Sequence, residues 1–364
     1  MKAGERMAPV VDDLSAWILA GRVSAETARS GFEDAVEAER LGFRRVYLAE
    51  RYNLKEAGTV LGGVGALTSR IGLGTGVVAT RARHPLMTAA LGASMHAYYG
   101  PRFVLGVGRS VANAFGNERQ ASYAELLDHV RICKRLWAGV AVTYDGPAGT
   151  FTNLRLGDVY DGPPPDVWIG GAGLPRMAAA ASDPTVDGVL LLPMVTPNAT
   201  HAAVTNIRGA CEAAGRDPSS LRICQPVVTA PDLGDRVTHE LAHARLVTYL
   251  TWPGVGELML KLNGWDSGVV ERLTSHPQFR NMAAATVDHS FHREQLQDPA
   301  SLIPDRWIEE CSAVGPVSTC VAKLQEFKDA GADEIALYGS SPTQNAELLS
   351  AWRARSASLT TARR

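Results

Sequence analysis

The sequence predicts an α/β fold of the (β/α)8 TIM barrel class, and three observations carry the prediction. Eight short apolar runs, each bounded by turn residues, recur along the 364 residues. Segments of helical length separate most of them, as a closed parallel barrel requires. Residues 71–110 spell out one complete unit: Ile71-Gly-Leu-Gly-Thr-Gly-Val-Val78, a basic turn through Arg81, Arg83, His84 and Pro85, an apolar run from 86 to 99, then Arg102-Phe-Val-Leu-Gly-Val-Gly-Arg-Ser110. Strand, helix and strand in that order make a βαβ crossover, which implies a parallel sheet. An open doubly wound sheet is the competing arrangement.

Residues 15–20, Ser-Ala-Trp-Ile-Leu-Ala, are a compact apolar run closed by Gly21 and Arg22 and give the first strand. A helix from about residue 26 to 41 follows, with Phe32, Ala35 and Val36 as apolar positions, and Gly42 stops it. Residues 45–50 are the second strand, and 61–69 lie in the next helix. Residues 71–78 and 103–107 are strands three and four. Residues 122–138 carry Leu126, Leu127, Val130, Cys133, Leu136 and Trp137 at helical spacing. Residues 145–165 form a Gly/Pro-rich excursion, too irregular for an element. Strands five, six and seven are expected at 166–170, 186–192 and 222–229, with helices at 177–181 and 199–214 between them, and strand eight at 332–338. A mostly helical insertion, about residues 231–314, interrupts the pattern between strands seven and eight and is expected to lid the barrel mouth or form a subunit interface. The whole chain, 1–364, reads as a single domain with a polar tail from residue 353.

With 46% hydrophobic and 20% charged residues the chain can bury a large core. A net charge of -2 gives no basic excess for nucleic acid, and no uninterrupted apolar run suggests a membrane span. The first residues lack an apolar secretory core, so a cytoplasmic protein is expected. Five scattered cysteines, without metal or redox spacing, read as reduced packing residues.

Strand ends three and four finish in glycines followed by arginine, which strips Cβ atoms from the backbone and sets positive charge where an anion could approach. Four segments carry a family resemblance: Ala38-Glu-Arg-Leu-Gly-Phe-Arg-Arg-Val-Tyr-Leu-Ala-Glu-Arg-Tyr52; Gly72-Leu-Gly-Thr-Gly-Val-Val with His84-Pro85; Arg102-Phe-Val-Leu-Gly-Val-Gly108; and Gly170-Gly-Ala-Gly173. Together they resemble the luciferase-like monooxygenase family, and more closely its branch of coenzyme F420-dependent oxidoreductases. The resemblance runs from strand one to strand eight. It implies a (β/α)8 barrel that holds F420 in its mouth, a hydride transfer to or from a small-molecule organic substrate, and a homodimer. FMN, on a monooxygenase of the same barrel, is the alternative cofactor.

The resemblance also names residues. Glu50 and Arg51 stand where the family often has an acidic residue followed by histidine. The acid is kept, but Arg51 cannot serve as an acid near neutral pH. Gly76–Val77, with Thr75 before it, matches a non-prolyl cis peptide that forms a bulge behind the deazaflavin ring. Gly108, Arg109 and Ser110 follow strand four without the acidic residue of the sugar-phosphate dehydrogenase members, which argues against glucose 6-phosphate as substrate. Gly170, Gly171, Ala172 and Gly173, with Arg176, are expected to receive the cofactor phosphate on backbone N–H groups. Gly171→Val is expected to weaken cofactor binding and leave the fold largely intact. Arginines at five consecutive strand ends, Arg22, Arg51, Arg81 with Arg83, Arg109 and Arg176, independently suit an anionic cofactor.

Other signals compete. His239-Glu-Leu-Ala-His243 is an H-E-x-x-H pattern, which on a helix suits zinc. Its extended form fails at Leu246 and Tyr249, and Glu257 and Glu271 are only guesses for a third ligand, so the segment reads as an ordinary helix and no metal is assigned. Gly106-Val-Gly108 lacks the third glycine of a dinucleotide fingerprint. Trp252, Trp265, Phe291 and Trp307 in the insertion line a substrate pocket or belong to core or interface.

Overall fold

The computed structural model describes residues 7–18, 29–51, 54–110, 119–280 and 287–362. Arg22, Tyr52 and Val111 lie outside the described residues. The chain divides into two compact units: Met1–Leu191 with Ala203–Cys224, and Leu192–Ala202 with Gln225–Arg364. The fold is a parallel (β/α)8 barrel.

In the first unit β1 (Leu14–Trp17) leads to α1 (Ser30–Leu41), β2 (Arg45–Leu48) and α2 (Ala57–Leu67). β3 (Gly72–Thr75) and the two-residue β4 (Val78–Ala79) are followed by α3 (Pro85–Tyr99), β5 (Phe103–Gly108) and α4 (Tyr123–Trp137). After β6 (Val142–Gly146) and β7 (Gly149–Leu154) come β8 (Asp166–Gly171), α5 (Pro175–Ala181) and β9 (Gly188–Leu191). Helix α6 (Pro197–Ala213) and β10 (Arg222–Pro231) continue the alternation. Pairing among the barrel strands is parallel: β1 with β2, β2 with β3, β3 and β4 with β5, β5 with β8, β8 with β9, and the start of β10 with β9. Every residue of β2, β5 and β9 is buried, as parallel strands covered on both faces should be.

Local chemistry fixes the helix starts that matter for the site. α3 begins with Pro85 as its first residue, and His84 Nδ1 accepts the Leu86 N–H at 3.2 Å. α4 opens with a capping box in which Ser122 Oγ accepts from Glu125 N (3.1 Å) and Glu125 Oε2 from Ser122 N (2.6 Å). Inside the unit, Trp17, Tyr47 and Trp168 stack at 5.6 and 6.2 Å between centroids, with the Arg45 guanidinium 5.0 Å from the Trp168 ring.

The expectation of an irregular 145–165 is corrected. Its first part belongs to an antiparallel hairpin, β6 with β7, in which Tyr144 Oη donates to Asp128 of α4 at 2.7 Å. Mostly exposed and polar, this hairpin lacks the apolar run that marks the barrel strands. In the second unit the rest of β10 pairs with β11 (Ser312–Gly315), a strand absent from the sequence reading, and β12 (Glu334–Tyr338) is wholly buried. Helices occupy most of the stretch between β10 and β11, as expected for the insertion. All five cysteines are buried, and none is in a disulfide.

Candidate active site

Between β3 and β4 the ladder slips. Gly74 pairs with Val104 but Val78 with Val107, so the β3–β4 side carries one residue more than β5, a β-bulge. The extra backbone is Gly76–Val77, whose peptide bond is cis, as the resemblance implies. Glycines make room for it. A Cβ on Gly106 would lie 1.9 Å from the Thr75 carbonyl oxygen, one on Gly108 would lie 2.5 Å from Val77 Cγ2, and one on Gly170 would lie 3.0 Å from Val77 Cγ1. The Val77 side chain therefore rests on the ends of β5 and β8. Beneath Gly76, a Cβ would strike Trp17 at 2.6 Å and Leu190 at 3.3 Å. Trp17 and Leu190 thus form the floor, a role that no sequence motif marks. Thr75 is fully buried and donates to the Gly106 carbonyl at 2.7 Å, so its hydroxyl ties two strands together.

Glu50 follows β2, and its side chain is only 4% exposed. Its oxygens accept a fork from Arg83, Nη2 at 2.5 Å and Nε at 3.3 Å, and Oε1 also lies 3.4 Å from the Ala57 N–H. Arg83 pairs in addition with Glu56, the N-cap of α2. Burial works against that guanidinium's charge, but Glu50 and Glu56 outweigh it and raise its proton affinity. Burial would likewise raise Glu56, yet bonds from the Thr59 hydroxyl and amide, Gly58 N–H and Arg83 bring it down to about 2. The Arg51 main chain pairs with Lys55.

After β5, Arg109 folds back: Nε donates to the Ala121 carbonyl at 2.5 Å and the guanidinium lies 4.2 Å over the Tyr123 ring. Ser110 takes a left-handed φ of 62°. After β8, a Cβ on Gly171 would meet Met177 Sδ at 2.8 Å, and one on Gly173 would meet Ala203 Cβ at 2.3 Å. Gly173 N–H points to Met177 Sδ at 3.0 Å. A side chain at Gly171 would have to displace the flexible thioether of buried Met177. Gly76, Val77, Arg109, Ser110, Gly170, Gly171 and Ala172 are half-buried, and Arg176 is exposed.

Beyond the bulge, Thr80, Arg81, Arg83, His84, Glu125 and His129 help line a cleft of about 470 Å³ closed by the hairpin turn Pro147, Ala148 and Gly149. Glu125 pairs with Arg81 (2.9 Å) and Arg119 (2.7 Å). Hydrogen bonds from Arg119, against burial and with Ser122, hold its carboxyl at about 2. Burial, then the neighbouring His84, pushes His129 down to about 4. In the second unit His239 and His243 stack at 4.3 Å and turn to Gln297 and Asp305, on a π-helical turn where an ordinary helix was expected. No three groups converge to hold a metal among the described residues. Trp265 and Trp307 stack face to face at 4.6 Å and are buried, as core rather than pocket wall.

A family model for luciferase-like monooxygenases matches residues 13–334. The 5,10-methylenetetrahydromethanopterin reductase of Methanolobus tindarius is 24% identical over 310 residues, covering 82% of this chain and 86% of that protein. Among solved structures, the coenzyme F420 dependent tetrahydromethanopterin reductase of Methanopyrus kandleri superposes with a TM-score of 0.72 at 20% identity, over 94% of this chain and 97% of the other. An F420-dependent secondary alcohol dehydrogenase in complex with an F420-acetone adduct gives 0.68 at 16% identity, over 94% and 99%. These two likenesses speak to the fold. The match of the family model over most of the chain shows that it belongs to the luciferase-like monooxygenase family.

Proposed function

We propose that the chain is an F420-dependent oxidoreductase that moves a hydride between the deazaflavin cofactor and a small organic substrate. One observation carries the reading: at three neighbouring strand ends Gly76–Val77, Arg109–Ser110 and residues 170–172 are half-buried, while the Cβ spaces of Gly106, Gly108 and Gly170 are filled by Thr75 and Val77. Strand ends rich in glycine leave main chain within reach of a planar ring, and the residues fit the cofactor in that respect. The names of the relatives support the same choice, since the two superposed enzymes are both F420-dependent.

When bound, F420 supplies the hydride chemistry, and the protein supplies orientation and charge. Gly76–Val77 would back the ring, and Gly170, Gly171 and Ala172 with Arg176 would take the phosphate. Gly173 contributes less, since its N–H is turned to Met177. Thr75 and Gly108 act from beneath by fixing the bulge. Arg109 is steadied by Tyr123 at the rim, beside Ser110. Glu50 and Arg51 stand at the neighbouring strand end.

The chain works in this reading as one luciferase-like domain in the cytoplasm, without nucleic-acid or membrane partners. Among the described residues no helix is long and apolar enough to cross a membrane. It is a homodimer, an arrangement suggested by Leu67, Met87 and Tyr98 on α2 and α3, which are 50%, 60% and 79% exposed. Sedimentation at micromolar concentration should give twice the 38.8 kDa chain mass, and a single species at that mass would remove the dimer. Purified protein mixed with each cofactor and desalted should retain F420. Retention of FMN and none of F420 would replace the reading with an FMN-dependent monooxygenase.

A further inference from the structure

We infer that Arg83 is a positioning residue for this site, which holds the Glu50 carboxylate as a fixed anion at the end of β2 and ties it to the turn that follows the bulge. No motif pairs the two, which stand far apart in the chain, yet the geometry is specific. Arg83 presents two donors to two oxygens, the planar fork that guanidinium and carboxylate share. Both partners are largely buried, with side chains 15% and 4% exposed. Arg83 also reaches Glu56, so one guanidinium clasps the end of β2, the N-cap of α2 and the entry to α3.

The same turn is pinned to the site from the other side. Thr80 Oγ1 donates to the Gly108 carbonyl at 3.3 Å, and Arg81 pairs with Glu125. Residues 80–83 begin directly after β4, so the segment that carries Arg83 is the continuation of the bulge. Glu50 clamped in this way offers only acceptor lone pairs. Its part in the reaction would be to accept an N–H or O–H from the ring edge or the substrate.

Among the described residues, the charged groups that meet Glu50 are Arg83 and, through it, Glu56, with Arg51 next in the chain. If Arg83 is the compensating charge, its removal leaves a buried carboxylate that takes up a proton at higher pH than an exposed one does. A folded state that binds this proton more tightly than the unfolded chain loses stability as pH rises.

What Glu50 faces rests on the F420 reading, but the pairing does not, so the first arm of the test uses protein without cofactor. Thermal midpoints of the wild type, R83M, R83K and E50Q/R83M are measured from about pH 5 to about pH 8. R83M should lose midpoint relative to the wild type as pH rises, E50Q/R83M should lose that slope, and R83K should restore the wild-type profile. Infrared spectra of R83M should show a carboxylic-acid C=O band that titrates over the same range and is missing from the double variant. If R83M does not fold, folding of E50Q/R83M is the expected rescue, and failure of both overturns the inference. Identical pH profiles for R83M and E50Q/R83M also overturn it.

In the second arm, fluorescence titration with F420 should show affinity falling about tenfold or more in R83M and recovering only in part in R83K, whose ammonium restores the charge but not the fork. Unchanged affinity in R83M would overturn the positioning role while leaving the F420 reading intact. No binding by the wild type would remove the F420 reading, while the pH arm would still decide the pairing.

Discussion

Two carboxylate–guanidinium clusters lie along the same turn and are built in opposite proportions. In one, a single guanidinium, Arg83, serves two carboxylates, Glu50 and Glu56; in the other, a single carboxylate, Glu125, serves two guanidiniums, Arg81 and Arg119. The buried members differ too. Glu50 is 4% exposed and the cation it meets among the described residues, Arg83, is 15% exposed, whereas the cations of Glu125 are 29% and 64% exposed. What an ion pair is worth depends on what its loss strands: a buried anion in the first cluster, cations within reach of water in the second.

The largest effect expected from this contrast is that of Arg83→Met, which strands Glu50 and should cost about 3–5 kcal/mol in denaturant unfolding at neutral pH. A loss below about 1 kcal/mol, the range of surface pairs, would put both clusters in the same class. Glu125→Gln comes next. It keeps the shape but gives up the charge-assisted bonds from Arg81, Arg119 and the Ser122 N–H, for about 1–3 kcal/mol. Smallest is Glu56→Ala, which removes an N-cap that accepts from Gly58 and Thr59 and should cost about 1 kcal/mol.

Acid unfolding sharpens the comparison. Glu56 and Glu125 both have folded-state values depressed to about 2, so the stability each contributes is present above the ordinary value of 4.5 and is lost as pH falls toward about 2. Each single Gln variant should therefore flatten the wild-type decline in that window, and the double variant should flatten it further. A decline unchanged in the double variant would mean that other carboxylates drive acid unfolding.

The barrel was legible because its strands are mostly buried and so read as short runs dominated by apolar residues; all eight appear within a few residues of where the sequence put them. The hairpin β6–β7 was not, because its exposed residues alternate with turn glycines, nor was β11, whose Ser-Ala-Val-Gly gives almost no pattern. The glycines at the strand ends were legible as missing side chains but not in their cause. Sequence shows that a Cβ is absent at Gly108 and Gly170, and only packing shows that Val77 fills the gap. Likewise, arginine after a strand end suggested a cationic rim, yet Arg81 and Arg83 are already paired with carboxylates distant in sequence. Charge in a sequence carries no record of its partner.

A crystal structure of the protein loaded with F420 would show whether the cofactor lies on the Gly76–Val77 bulge. Density for the tricyclic ring is expected against the main chain of Gly76 and Val77, with the phosphate toward 170–172 and Arg176. Density for the ring away from the bulge, with the backbone of Gly76–Val77 facing solvent, would contradict it.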